Sequence, residues 1–135
     1  MPRRPSIGRE DGQAAAEFAL VLPLLVVILL AIIQFGIAFN NYVTLTDATR
    51  AGARKAAVSR FIGDNGASAV AAVKSSGSGL NWSASGASVS VTASPDWTTP
   101  GNTVTVTATY PYSIDILGFV VKAGNLSSTT KERLE

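Results

Sequence analysis

The chain of 135 residues contains no cysteine and no histidine. The lack of cysteine excludes disulfides and thiol nucleophiles, and the lack of both residue types excludes Cys/His zinc sites. An imidazole general base is missing as well. These absences remove most familiar catalytic arrangements, so the sequence predicts a non-enzymatic protein with no cofactor and no metal.

Charge is also scarce, with 11 Lys and Arg against 9 Asp and Glu and a formal net charge of +2. A nucleic-acid partner is not expected, because no aromatic residue or known motif lies between the clustered basic residues Arg50, Arg54, Lys55 and Arg60. The sequence contains no phosphate loop and no nucleophile elbow, so a small-molecule substrate is not expected. An enzyme is the least favoured functional class. Asp96 and Asp115 are the candidate catalytic acids, and turn or strand positions explain both of them.

A long apolar run begins after Glu17, and no further charge follows until Asp47. As a helix, Phe18 to Phe39 spans about 33 Å, which matches a bilayer hydrocarbon core of roughly 30 Å. A cleaved secretory signal has an apolar region of only about 7 to 15 residues. A buried helix of a soluble protein seldom has roughly 20 nearly uninterrupted apolar positions. The run therefore predicts one transmembrane segment at about residues 18–39.

The helical pattern extends from Gln13 to about Arg60, so we expect one long helix that leaves the bilayer near residues 40–42. Pro23 costs a backbone hydrogen bond and should bend or locally open the helix. Beyond the membrane, small side chains follow three- and four-residue steps, which allows another backbone to approach closely. This stripe comprises Leu45, Ala48, Gly52 and Ala56. Asp47 and Arg50 are spaced to pair on the helix surface.

Residues 61–135 are expected to form a small domain. A turn at residues 63–66 precedes a short helix at Ala67–Lys74. After this helix, apolar and polar residues alternate with the two-residue period that is typical of strands. The expected strands are 89–93, 104–110 and 126–134, which gives an α+β fold with an antiparallel sheet. A domain this small is marginal without partners, so the sheet should lean on the long helix or on another subunit. We expect its aromatic residues in the core or in subunit contacts: Trp82, Trp97, Tyr110, Tyr112 and Phe119.

Three segments carry a resemblance to a known family: Gly12-Gln13, Glu17 to Pro23, and Asp47 to Val58. They resemble the TadE-like minor pilins, or pseudopilins, of tight-adherence (Flp-type) pilus systems. The resemblance covers roughly the first half of the chain. The closing residues, Leu126 to Glu135, are more loosely similar to the end of such proteins.

The resemblance implies a pilin-like fold and processing by a prepilin peptidase between Gly12 and Gln13. Residues 1–12 would be a cytoplasmic leader, and the sheet domain would lie outside the cytoplasmic membrane of a bacterium. Subunit assembly would use Glu17, Phe18 and Pro23, with the Glu17 carboxylate paired to the new Gln13 ammonium of a neighbouring subunit. Helix packing would use Asp47, Arg50, Gly52 and Arg54.

The implied partners are the prepilin peptidase, other pilins and the pilus assembly machinery, and the implied role is a structural subunit of an adhesion or secretion pilus. Glu10 and Asp11 place acidic groups beside the cut, where leaders of the family are often basic. The alternative is therefore an uncleaved, single-pass envelope protein that acts as a membrane-anchored interaction module.

Overall fold

The computed structural model describes residues 9–135 and shows the α+β architecture that the sequence predicts. Residues 1–8 of the predicted leader lie outside the described residues. Two helices precede a sheet of three antiparallel strands. The elements are α1 (Arg9–Ala57), a short 3-10 helix (Ser59–Phe61), α2 (Ala67–Ser76), β1 (Ser88–Ser94), β2 (Thr103–Ile116) and β3 (Phe119–Arg133).

Helix α1 is 49 residues long and spans about 74 Å at about 1.5 Å per residue. It begins at Arg9 and ends at Ala57, so it starts before Gln13 and stops just short of Arg60. Pro23 lies inside the helix, which continues on both sides of it. The two halves have different surroundings. Residues 12–29 are all exposed, whereas one face of the second half is buried.

The sheet is a simple meander in which β2 pairs with both neighbours. Val104, Val106 and Ala108 of β2 are fully buried, and the threonines between them lie on the opposite, more accessible face. On that outer face the hydroxyls of Thr107 and Thr129 lie 3.0 Å apart on adjacent strands. The alternation of apolar and hydroxyl side chains therefore fixes which face of the sheet meets the helices.

The buried face of the sheet packs on the second half of α1 and on α2, and a single core results. The expectation that the sheet leans on the long helix is confirmed. The indole of Trp82 closes one side of the core, since its Nε1 donates to the Gly77 carbonyl over 2.9 Å. Trp82 also meets Tyr110 edge to face, with ring centroids 6.4 Å apart. Trp97 packs against the core, whereas Phe119 remains 78% exposed.

The end of the chain returns to the end of α1. Leu134 is 1% exposed, and the backbone N–H of Glu135 donates to the Ala57 carbonyl over 3.0 Å. Because β2 starts beside the last residues of β3, it starts near Ala57 and runs back along α1 towards the apolar part of the helix. This direction determines where the other end of the sheet lies.

Gly52 allows α1 and α2 to approach each other. A Cβ atom at this position would collide with Cγ2 of Val73 and lie 3.2 Å from the Ala69 carbonyl oxygen. Val73 is fully buried, and a β-branched side chain in a helix has little rotamer freedom with which to move away. The small-residue stripe therefore serves packing within the chain at this point.

Two strands extend well beyond their predicted ends, whereas α2 and β1 are only slightly longer than predicted. Strand β2 continues past Tyr110 to Ile116, and β3 begins at Phe119 instead of Leu126. A two-residue turn joins them, with positive φ angles of 53° at Leu117 and 85° at Gly118. Such a turn matches the twist of a hairpin, but the sequence signals it only through the glycine.

We predict that Gly52→Ala destabilises the domain by about 1–3 kcal/mol, because the added methyl overpacks the contact between α1 and α2. Thermal unfolding of the detergent-solubilised chain, followed by near-UV circular dichroism of its tryptophans, measures the effect. Gly36→Ala is the matched control, since a Cβ atom there meets nothing within 4 Å. Equal midpoints for the two variants would contradict the packing at Gly52.

Candidate functional site

The first turns of α1 present the residues that the sequence assigns to processing and assembly. Gly12 and Gln13 lie within the helix, whose backbone is unbroken from Arg9. The side-chain amide Nε2 of Gln13 donates a hydrogen bond to Oε1 of Glu17 over 3.0 Å. Both side chains are exposed. The Glu17 carboxylate therefore stands on the helix surface, within reach of another molecule.

The next part of α1 is an apolar band, residues 18–39. Within residues 9–135, α1 is the one helix long and apolar enough to cross a membrane, and its most apolar window has no residue buried in the chain. Phe18 is 60% exposed and Leu20 is 82% exposed. A core helix of a soluble protein would cover such side chains with protein. The band is therefore a candidate membrane anchor, and Pro23 lies within it.

The second half of α1 has two distinct faces. Leu45, Ala48 and Gly52 lie on the face that is buried by α2 and the sheet. Asp47, Arg50 and Arg54 lie on the exposed face, where Nη1 of Arg50 is 3.6 Å from Oδ1 of Asp47. These two side chains are 62% and 67% exposed, so the pair adds little stability to the fold. The exposed face is therefore available to other molecules.

The hairpin tip, residues 116–121, is a surface that the sequence analysis does not identify. Leu117, Phe119, Val120 and Val121 are each at least 64% exposed, although all are large and apolar. A signal was present in the sequence, because apolar residues occupy consecutive positions there instead of alternating with polar ones. No recognised turn sequence divides this run into two strands, so the sequence alone does not reveal the hairpin.

Asp96 lies in the loop between β1 and β2 and is held by hydrogen bonds. The Thr98 hydroxyl donates to Oδ1 over 2.8 Å, and the backbone N–H groups of Thr98 and Thr99 donate to the same oxygen over 2.7 and 2.8 Å. The Thr98 hydroxyl bond, together with these backbone donors, lowers the pKa of Asp96 to about 2. Such a carboxylate is suited to shaping a loop and poorly suited to donating a proton.

Asp115, the other acidic candidate, accepts a hydrogen bond from the Ser113 hydroxyl over 3.1 Å. It lies on a different element from Asp96. Among residues 9–135 no group of three or more His, Cys, Asp or Glu side chains is arranged to hold a metal ion.

With the geometry of α1 established, comparison with protein families gives one match. Residues 12–54 match the family model described as TadE-like protein. This segment is TadE-like. The match confirms, over this segment, the resemblance drawn from the sequence. Comparison with curated proteins and with solved structures finds no match.

The TadE-like segment lies entirely within α1, while α2 and the sheet lie outside the matched residues. It runs from the exposed first turns, through the apolar band, to the face that packs on the domain. It holds the residues that the resemblance assigns to processing, assembly and helix packing: Gly12, Gln13, Glu17, Phe18, Pro23, Asp47, Arg50, Gly52 and Arg54.

We predict that the carboxyl group of Asp96 titrates with a midpoint of about 2 in the folded chain. Because this pKa lies below the ordinary value of 3.8, the loop adds stability above about pH 4 that is lost as the pH falls towards 2. Side-chain carbon NMR of the carboxyl group measures the midpoint.

Thr98→Val removes the hydroxyl donor and should raise the Asp96 midpoint towards 3.8. Thr92→Val, at an exposed site on β1, is the matched control and should leave the midpoint in place. A wild-type midpoint near 3.8 would show that the loop does not hold the carboxylate as described.

Proposed function

We propose that the protein is a non-enzymatic minor pilin, or pseudopilin, of a tight-adherence pilus. The observation that carries the proposal is the TadE-like match over residues 12–54, which coincides with an exposed apolar band followed by a domain-packed half on the same helix. A subunit of this shape can be held in the membrane by the band. It can also pack the same band against other pilins once it leaves the lipid.

Processing by a prepilin peptidase between Gly12 and Gln13 is part of the proposal. The peptidase acts at the cytoplasmic face, so residues 1–12 would lie in the cytoplasm and the sheet domain outside. The mature chain would begin at Gln13, and its terminal ammonium would lie one helical turn from Glu17. The loss of the preceding turn leaves this new terminus free to reach a neighbour.

Assembly in this proposal depends on the charge of Glu17. An ionised carboxylate in apolar surroundings costs about 2.5–3.5 kcal/mol at bilayer depth unless a partner offsets that cost. The Gln13 amide supplies a neutral hydrogen bond within the chain. An ammonium from a neighbouring subunit would add the opposite charge, and charge-assisted hydrogen bonds are roughly twice as strong as neutral ones.

The N-terminal residue of the mature protein tests the processing step. We expect intact mass and terminal sequencing to find a start at Gln13 in cells with the prepilin peptidase, and the full leader in cells without it. Gly12→Val should block the cut, whereas Gly8→Val, within the leader, should leave it intact. A leader retained in the presence of the peptidase would contradict processing.

A second candidate function is an uncleaved, single-pass envelope protein that uses its domain as an interaction module. Two observations favour it. Helix α1 is unbroken across Gly12 and Gln13, and Glu10 and Asp11 place acidic residues beside the cut. The same N-terminal measurement distinguishes the two candidates, because the anchor retains its leader.

We predict that Glu17→Ala leaves membrane insertion intact but impairs incorporation into filaments, because the intersubunit pair loses its carboxylate. Immunoblots of sheared pilus fractions and of membranes measure the two pools. Glu132→Ala is the matched control, since it removes an exposed carboxylate on β3. Normal incorporation of Glu17→Ala would remove the pairing argument.

A further inference from the structure

The hairpin tip has the composition of a membrane-contacting surface. Phe119 is 78% exposed, Leu117 is 67% exposed, and Val120 and Val121 are 64% exposed each. In an antiparallel sheet with one solvated face, polar residues would occupy the outward positions. Here apolar side chains occupy both faces at the end of the hairpin. Neither the core of the domain nor α1 covers them.

The tip lies beside the apolar band of α1. A groove of about 290 Å³ separates the two elements, lined by Phe35 and Phe39 on the helix and by Ile114 and Lys122 on the hairpin. Strand β2 runs from the Ala57 end of α1 towards this level. Leu117 is three residues past Ile114, so the tip extends about 10 Å further in the direction of the band.

Charge limits how deep the tip can go. Asp115 is exposed and lies two positions before Leu117 along the chain, a distance of about 7 Å. The distance between Asp115 and Leu117 is within the depth of about 5–10 Å to which interfacial elements are buried at the headgroup boundary. With Asp115 at headgroup level, the apolar end of the hairpin would lie among the upper parts of the acyl chains.

The groove is lined by residue types that are common at the headgroup level of a membrane. Tyr42 and Tyr112 line it, and tyrosines are enriched at membrane interfaces. The Lys122 ammonium lies at the same level and is complementary to lipid phosphates. Ile116 and Phe119 pair with each other up to the turn. Within residues 9–135, β1 pairs with β2 only as far as Thr109, so the outer edges of the hairpin have no strand partner there and insertion is limited to the hydrated upper part of the leaflet.

We propose that the hairpin tip inserts into the membrane leaflet that faces the sheet domain, beside helix α1, and contacts phospholipid. The tip continues the apolar surface of the band on the same molecule, which favours lipid over a second copy of the chain as the occupant. Two contacts with one bilayer would fix the height and rotation of the domain above the membrane. The proposal requires α1 to cross the bilayer and does not depend on pilus assembly.

The absence of native cysteine makes a single-cysteine experiment direct. Val120→Cys places a polarity-sensitive NBD dye at the tip. Ser90→Cys, an exposed site on β1, is the solvent control, and Ile28→Cys is the control within the band. Each full chain is reconstituted into phosphatidylcholine and phosphatidylglycerol vesicles that carry bromine at a known depth of the acyl chain.

At Val120→Cys we expect blue-shifted emission and quenching by bromine near the headgroup end of the chain. Ser90→Cys should show neither change, and Ile28→Cys should be quenched by bromine near the chain end. Adding Phe119→Asp to Val120→Cys should return its emission towards that of Ser90→Cys, whereas adding Ser127→Asp, on an exposed part of β3, should not.

A dye at Val120→Cys that resembles Ser90→Cys, while Ile28→Cys is quenched, would overturn the proposal. Loss of quenching at both Val120→Cys and Ile28→Cys would overturn it too, since α1 would not cross the bilayer. The blue shift at Val120→Cys could also disappear as the ratio of lipid to protein rises. That result would show that a second copy of the chain covers the hairpin tip, and it would also overturn insertion.

Discussion

The structure depends on the continuity of helix α1 between two environments. Its first half exposes an apolar band, of which residues 18–29 are exposed throughout, and α2 and the sheet cover one face of its second half. The burial of apolar surface in protein stabilises the second half, and lipid would cover the first half of a membrane anchor.

The domain in turn needs the helix. Fully buried residues of α1, such as Leu45 and Ala53, belong to the same core as Val73 of α2 and Val106 of β2. A sheet of three strands with one apolar face has little core of its own and requires an element packed upon it. Gly52 makes the approach of α2 possible. The hairpin then returns along α1 towards the apolar band, so its tip lies on the same side of the domain as the candidate membrane anchor.

Most of the fold could be predicted from the sequence, because its signals are local. The length of the apolar run, the small-residue stripe and the alternation in β1 and the first half of β2 each identify an element directly. The hairpin tip could not be predicted, since Leu117 adopts a positive φ that leucine rarely takes and the turn has no Asn-Gly or Asp-Gly pair. Residues 12–54 carry the TadE-like match, whereas the roles of Gly12, Gln13 and Glu17 within them stay predictions. The spacing of Asp47 and Arg50 already predicts their pair on the helix surface, and the structure has it.

The most direct test of the account is hydrogen exchange along α1 in the full chain, reconstituted in lipid nanodiscs. The account predicts continuous protection from the apolar band through Leu45 into the domain, because the backbone hydrogen bonds of one helix cross the membrane boundary without a break. A rapidly exchanging gap between Phe39 and Leu45 would contradict it. The band and the domain would then be separate units joined by a flexible hinge.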